Sequence, residues 1–265
     1  MAGRALNVLG GVVREQRRAW VLWSVAVAAV AALYIAVYPS METMDLDAMM
    51  EGFPEGLMTA LGYDDMSSAP GYISSTVYGL LGPALLLVFT LGLGARLLAG
   101  QEEDGTLELE LAAPVSRRRL FLERLAALWL GTLILVAVIT ATSILLVLAL
   151  DIEVDSMGLL AGGVGLLLLT GGLGTVAYGL GAATGRRSLA LSAGAGVAVL
   201  AYILNAIGPL LEAPWMTAVS PFGWYLEGEP LTEGLILWRL ALLAAVPMIF
   251  AGVGLVRFRR RNLMV

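Results

Sequence analysis

The chain has 265 residues, 59% hydrophobic and only 14% charged, with a net charge of −5. A soluble domain carries about 25% charged residues, so this chain lacks the polar surface to cover itself with water and reads as lipid-embedded. Cysteine and histidine are absent and all 16 basic residues are arginine, which excludes disulfides, the common zinc sites, Ser-His and Cys-His catalysis, and a P-loop, whose lysine holds the phosphates.

Residues 1–18 predict an amphipathic helix at the cytoplasmic interface, with Leu6, Leu9, Val12 and Val13 on one face and Arg14, Arg17 and Arg18 at its basic end, or, more plainly, a positively charged inner flank. A membrane crossing takes roughly 20 mostly apolar residues. Six runs satisfy this, at about 19–39, 72–98, 125–150, 157–183, 189–211 and 235–256, making residues 19–265 a six-helix transmembrane domain. The runs are continuous rather than alternating, which disfavours barrel strands. The first is too long for a signal-peptide core and no small-residue cleavage site follows it before Pro39-Ser40. The expected fold class is an all-α polytopic membrane protein.

Arginine sets the orientation. Arg4, Arg14, Arg17 and Arg18 precede the first run; Arg96, Arg117, Arg118, Arg119 and Arg124 flank the connection between runs two and three. Arg186 and Arg187 separate runs four and five, and Arg257, Arg259, Arg260 and Arg261 follow the sixth. Six crossings put all of these on one side, leaving Arg239 opposite with most of the acids, among them Asp45, Asp64, Asp151 and Glu227. Both termini are therefore expected in the cytoplasm, in the plasma membrane of a prokaryote.

The first outer segment, 40–71, suggests short amphipathic helices rich in methionine and broken near Pro54, forming a structural cap or, less simply, a substrate lid. The second, 212–234, offers Trp215, Phe222, Trp224 and Tyr225 as interfacial anchors. Glycine clusters in runs four and five (GGVG, GGLG, GLGAATG, GAG) predict close helix packing. Ionisable residues are nearly absent from the runs, which argues against ion-coupled transport. The polar exceptions are Tyr34, Thr90, Thr140, Thr170, Tyr202 and Asn205. Of these, Tyr34, Thr90, Tyr202 and Asn205 are candidates for a translocation path, with interhelical hydrogen bonding as the plainer role.

The charged stretch QEEDGTLELELAAPVSRRRLFLERL, 101–125, stands apart. Alternation in TLELEL reads as a strand, but a lone strand at a membrane surface leaves its edges unpaired. A short helix with Leu107 and Leu111 on one face fits better, ended by Pro114, with Ser116 capping the next helix. Segment 99–122 is thus expected to be helix, break, helix.

Glu102, Glu103, Gly105, Thr106, Leu107 and Glu108, followed by Pro114, Val115, Ser116 and Arg117, stand in an order that resembles the connection between spans two and three of ABC-2 type permeases. The basic helix before the first span, SPFGWY with its following EPL and EG, and the RFRRRNL tail extend the resemblance along the chain; Asn262 stands where the family commonly has aspartate. The resemblance implies one subunit of an exporter. Two such subunits, identical or different, would pair, with spans one, two and five lining the path. Each would dock on a separate ATPase subunit that holds ATP and Mg, this chain itself binding no cofactor. The segment between spans two and three is implied as the coupling helix. Glu102, Glu103 and Glu108 would supply polar contacts to the ATPase or the N-terminal helix, Gly105 backbone freedom and Arg117 an ion pair, with Thr106 and Pro114 completing the segment. The substrate is expected to be amphipathic, drug-like or lipid-like; membrane lipid is the other partner, and nothing points to nucleic acid. Without transport, the same features would serve a membrane scaffold or sensory component that recruits a cytoplasmic partner through 101–119. Glu102→Arg is expected to abolish transport with folding intact.

Overall fold

A computed structural model describes residues 8–41, 68–107, 115–227, 230–232, 234 and 236–261. Its six long helices are α1 (Val8–Met41), α2 (Ala69–Glu103), α3 (Arg117–Ala149), α4 (Ser156–Thr184), α5 (Arg187–Leu210) and α8 (Leu237–Arg260), with the short α6 (Pro214–Val219) and α7 (Pro221–Leu226) between the last two. All six are long and apolar enough to cross a membrane, and no strand occurs among the described residues. Most of the outer segment 40–71, Arg4, Leu6, Glu108, Leu111, Pro114 and Asn262 lie outside the described residues.

The helices run past the apolar segments that predict them. α1 is one helix of 34 residues, about 50 Å at 1.5 Å per residue against about 30 Å of hydrocarbon. The expected interfacial helix and first span are thus continuous, because nothing in Arg17-Arg18-Ala19-Trp20 breaks a helix. A helix satisfies its own backbone and need not stop at the water boundary.

α4 is the centre of the bundle: 78% of its apolar window is buried, against 22% in α1, α5 and α8. Its glycines explain why. A Cβ on Gly174 would lie 2.8 Å from the Thr90 Cβ of α2, and one on Gly179 would lie 2.5 Å from the Phe250 carbonyl oxygen of α8. Backbone meets backbone on two faces, the small-residue packing that lipid favours. From α3, Trp129 adds an indole N–H donated to Thr175 Oγ1 at 3.1 Å. Thr170 donates to the Leu166 carbonyl inside its own helix, and Tyr78 reaches Thr140 Oγ1 at 3.4 Å. Outside the core, Leu22, Leu33, Leu145, Leu148, Met248 and Ile249 are exposed. An apolar surface of this extent requires an apolar solvent.

α2 is widened to π geometry over Ser74–Leu81 and Arg96–Gly100. Pro83 has no N–H, and in a regular helix its ring would strike the carbonyl four residues back. The wider turn relieves this, with the Gly82 N–H donating to the carbonyl of Val77, five residues back. Hydroxyls cover the carbonyls so disturbed: Ser75 donates to Gly71 at 2.8 Å, Thr76 to Tyr72 at 2.6 Å and Tyr225 to Tyr78 at 3.1 Å.

The aromatic anchors divide. Ser220 caps α7, accepting from the N–H groups of Phe222 and Gly223, and donates to the Ala201 carbonyl of α5 at 2.6 Å. That hook turns one face of α7 inward, and Phe222 and Tyr225, three residues apart, share it. Both are buried, whereas Trp215 is exposed and Trp224 half-buried. The expectation that Phe222 and Tyr225 anchor at the interface is corrected: both serve the protein core.

Candidate functional site

The ends of α2, α4 and α8 and the starts of α1, α3 and α5 gather at one end of the bundle, and the described arginines other than Arg239 sit there. Ser116 caps α3 as its sequence position predicts, accepting from the Arg119 N–H at 3.2 Å, a cap worth about 1 kcal/mol. About two turns further, Arg124 is wholly buried, and its guanidinium donates to the Leu97 carbonyl, inside the second π segment, and to Gln101 Oε1. Bonds from both Nη nitrogens offset part of the desolvation of this buried cation. Arg124 therefore clamps the end of α2 onto α3. Arg124→Ala is expected to lower stability by about 3 kcal/mol through the acceptors it strands and the void it leaves. Melting in detergent checks this, an unchanged midpoint speaking against the clamp.

Glu102 follows on α2 and faces inward, its carboxylate 4% exposed and accepting from Arg261 Nη2 at 2.5 Å. Arg117 donates to the carbonyls of Phe258 at 3.0 Å and Arg261 at 2.7 Å, with its guanidinium 5.9 Å from the Phe258 ring. These are the last carbonyls of α8, where a cation is favoured. Glu103 is exposed and accepts from the Arg187 N–H at 2.8 Å, supplying from another helix the cap that Arg186 does not give α5. Gly105 turns the chain at φ +69, a conformation open to glycine. Thr106 Oγ1 donates back to the Gln101 carbonyl at 3.2 Å, and Leu107 is buried.

Arg14, Arg17 and Arg18 are exposed on the first turns of α1. Their neighbour Glu15 pairs with Arg96 at 3.3 Å, both side chains about half exposed, a surface pair worth about 0–1 kcal/mol. The Leu9 N–H donates to Glu123, which Arg119 also holds at 2.5 Å. The structure thus brings Glu102, Glu103, Gly105, Thr106 and Arg117 together. Within the described chain, Glu102 and Arg117 both contact the end of α8. No spacing rule could reveal this, since Arg261 lies 159 residues from Glu102.

Between α2 and α5 a groove of about 600 Å³ opens on the flank of the bundle. Leu80, Leu87 and Leu91 form one wall, Ala195, Ala198 and Val199 the other, and Tyr202 and Phe222, edge to face at 5.3 Å, close one end. Tyr202 carries the sole side-chain hydroxyl of this lining. Pockets for small molecules run about 300–1,000 Å³ with few polar groups. Of the four path candidates only Tyr202 lines the groove. Thr90 is buried against Gly174, Tyr34 offers its carbonyl to the Tyr72 hydroxyl, and Asn205 is half-buried beside Gly223. The groove was legible only as an expectation that spans one, two and five line a path, and its lining comes from spans two and five together with Phe222 of α7.

No curated protein matches the chain. The model of the family described as "Multidrug efflux system permease Rv1217c, C-terminal domain" matches residues 7–259, nearly the whole chain. With its six apolar helices, the chain belongs to this family of ABC-2-type permeases.

Proposed function

We propose that this chain is the membrane subunit of an ATP-driven multidrug exporter, moving amphipathic, drug-like or lipid-like compounds through grooves of two paired copies. The α2–α5 groove carries the reading: its volume suits one small molecule and its lining suits an apolar body with few polar groups. The chain has no lysine and so no P-loop of its own, which supports a separate ATPase subunit as the holder of ATP and Mg. The coupling surface is the segment 99–122, where Glu103, Gly105 and Thr106 are exposed. Glu102 and Arg117 act behind it, fixing the segment to the end of α8. The arginine-rich end, with both termini, lies in the cytoplasm of a prokaryotic cell, following the positive-inside rule.

Filling the groove tests the reading. Ala198 is buried in the groove wall, and Ala198→Trp is expected to cut ATP-driven ethidium efflux from reconstituted vesicles about tenfold, the equivalent of 1.4 kcal/mol of lost binding. The ATPase subunit should still co-purify. Efflux at the wild-type rate would remove the groove from the path.

A further inference from the structure

The last turn of α8 sits on the coupling segment instead of trailing away from it. Arg261 holds Glu102 before the connection between α2 and α3, and Arg117, after it, holds the carbonyls of Phe258 and Arg261. Both banks of the connection therefore grip one helix end. The ion pair has a seat: Gly185, at φ +70 just past α4, lies beside it, and a Cβ there would come 2.8 Å from Glu102 Oε2 and overlap the Arg261 guanidinium. Phe258, fully buried, anchors the turn against Phe121. A basic tail that served only to orient the chain would be solvated throughout, as Arg257, Arg259 and Arg260 are. Arg261 is not.

We infer that Arg261 is a positioning residue for energy coupling: through Glu102 it makes the end of α8 follow the segment 101–107. α8 packs along α4, and α4 along α2, through contacts in which glycine backbones touch their neighbours. A push on 101–107 is then delivered to α8 as well as to α2, and reaches α4, which packs against both. This inference rests on the exporter reading.

The absence of cysteine allows two unique spin labels, at Asp104→Cys and Arg257→Cys, both exposed positions flanking the pair. In the otherwise unaltered permease with its co-purified ATPase, the label distance is expected to be narrow. It should broaden in Arg261→Glu and narrow again in the exchanged pair Glu102→Arg with Arg261→Glu. In the unlabelled protein, ATP-driven ethidium efflux should fall at least tenfold in Arg261→Glu and recover to within about twofold in the exchange, as the coupling in a double-mutant cycle requires. Arg261→Gln, without reversed charge, serves if Arg261→Glu does not purify. Wild-type efflux in the single variant overturns the inference, and so does an exchange that restores the distance but not efflux, or neither. A wild-type complex without efflux overturns the exporter reading, and the distances alone then decide whether the clasp holds.

Discussion

Gly179→Leu is expected to prevent this protein from reaching its folded, monodisperse form. A Cβ on Gly179 would already lie 2.5 Å from the Phe250 carbonyl oxygen and 2.9 Å from its carbon, and Gly254 on the facing helix leaves no more room, its own Cβ falling 2.8 Å from the Gly179 Cα. Overpacking a core usually costs about 1–3 kcal/mol because side chains move aside. Here the obstacle is backbone, so α8 itself must move, and the cost should reach or exceed the upper end of that range. Gly252→Leu is the matched control, since a Cβ there meets nothing within 4 Å. Size-exclusion chromatography and melting in detergent should separate the two sharply. Equal behaviour would mean that the α4–α8 contact is not the seam described here.

Glu102→Arg has the second large expected effect, and it differs from what the sequence suggests. Read as a residue facing a partner, Glu102 should lose transport on reversal and keep its fold. Its carboxylate is instead 4% exposed and bound to Arg261, so reversal sets two guanidinium groups together where little water reaches to screen them. Breaking one side of a buried pair costs about 3–5 kcal/mol, a factor of at least 100 in the population of the clasped state. Efflux should fall below detection and the melting midpoint should drop with it. Glu102→Gln, which keeps an acceptor oxygen for Arg261, should lose less of both. Wild-type efflux with an unchanged midpoint in Glu102→Arg would contradict the placement of this carboxylate.

The spans were legible because lipid imposes a crude requirement, about twenty apolar residues, and the six runs meet it. Their ends were less so: α2 continues to Glu103 and α3 begins at Arg117, because helical hydrogen bonding carries on into charged sequence. The central place of α4 was foreshadowed by its glycines, yet which glycine meets which helix is a long-range matter. Gly174 faces α2 and Gly179 faces α8, although five residues separate them in one pattern. Ser116 and Gly105 act locally, one as a cap and one as a turn, and local chemistry suffices to find them. Arg124 and Arg261 were legible only as cations flanking the apolar runs. Only tertiary packing reveals that Arg124 is buried and that Arg261 returns to Glu102. Phe222 and Tyr225 carry the composition of an interfacial belt, and the Ser220 hook sends them inward.

As an exporter subunit, this permease should work in pairs, driven by a second chain that hydrolyses ATP. The most direct test is the mass of the intact complex, released by native mass spectrometry after purification of the tagged protein from its own host in mild detergent. The account predicts two permease-type chains with two copies of a soluble subunit whose sequence holds a P-loop. A particle with no nucleotide-binding chain would contradict it.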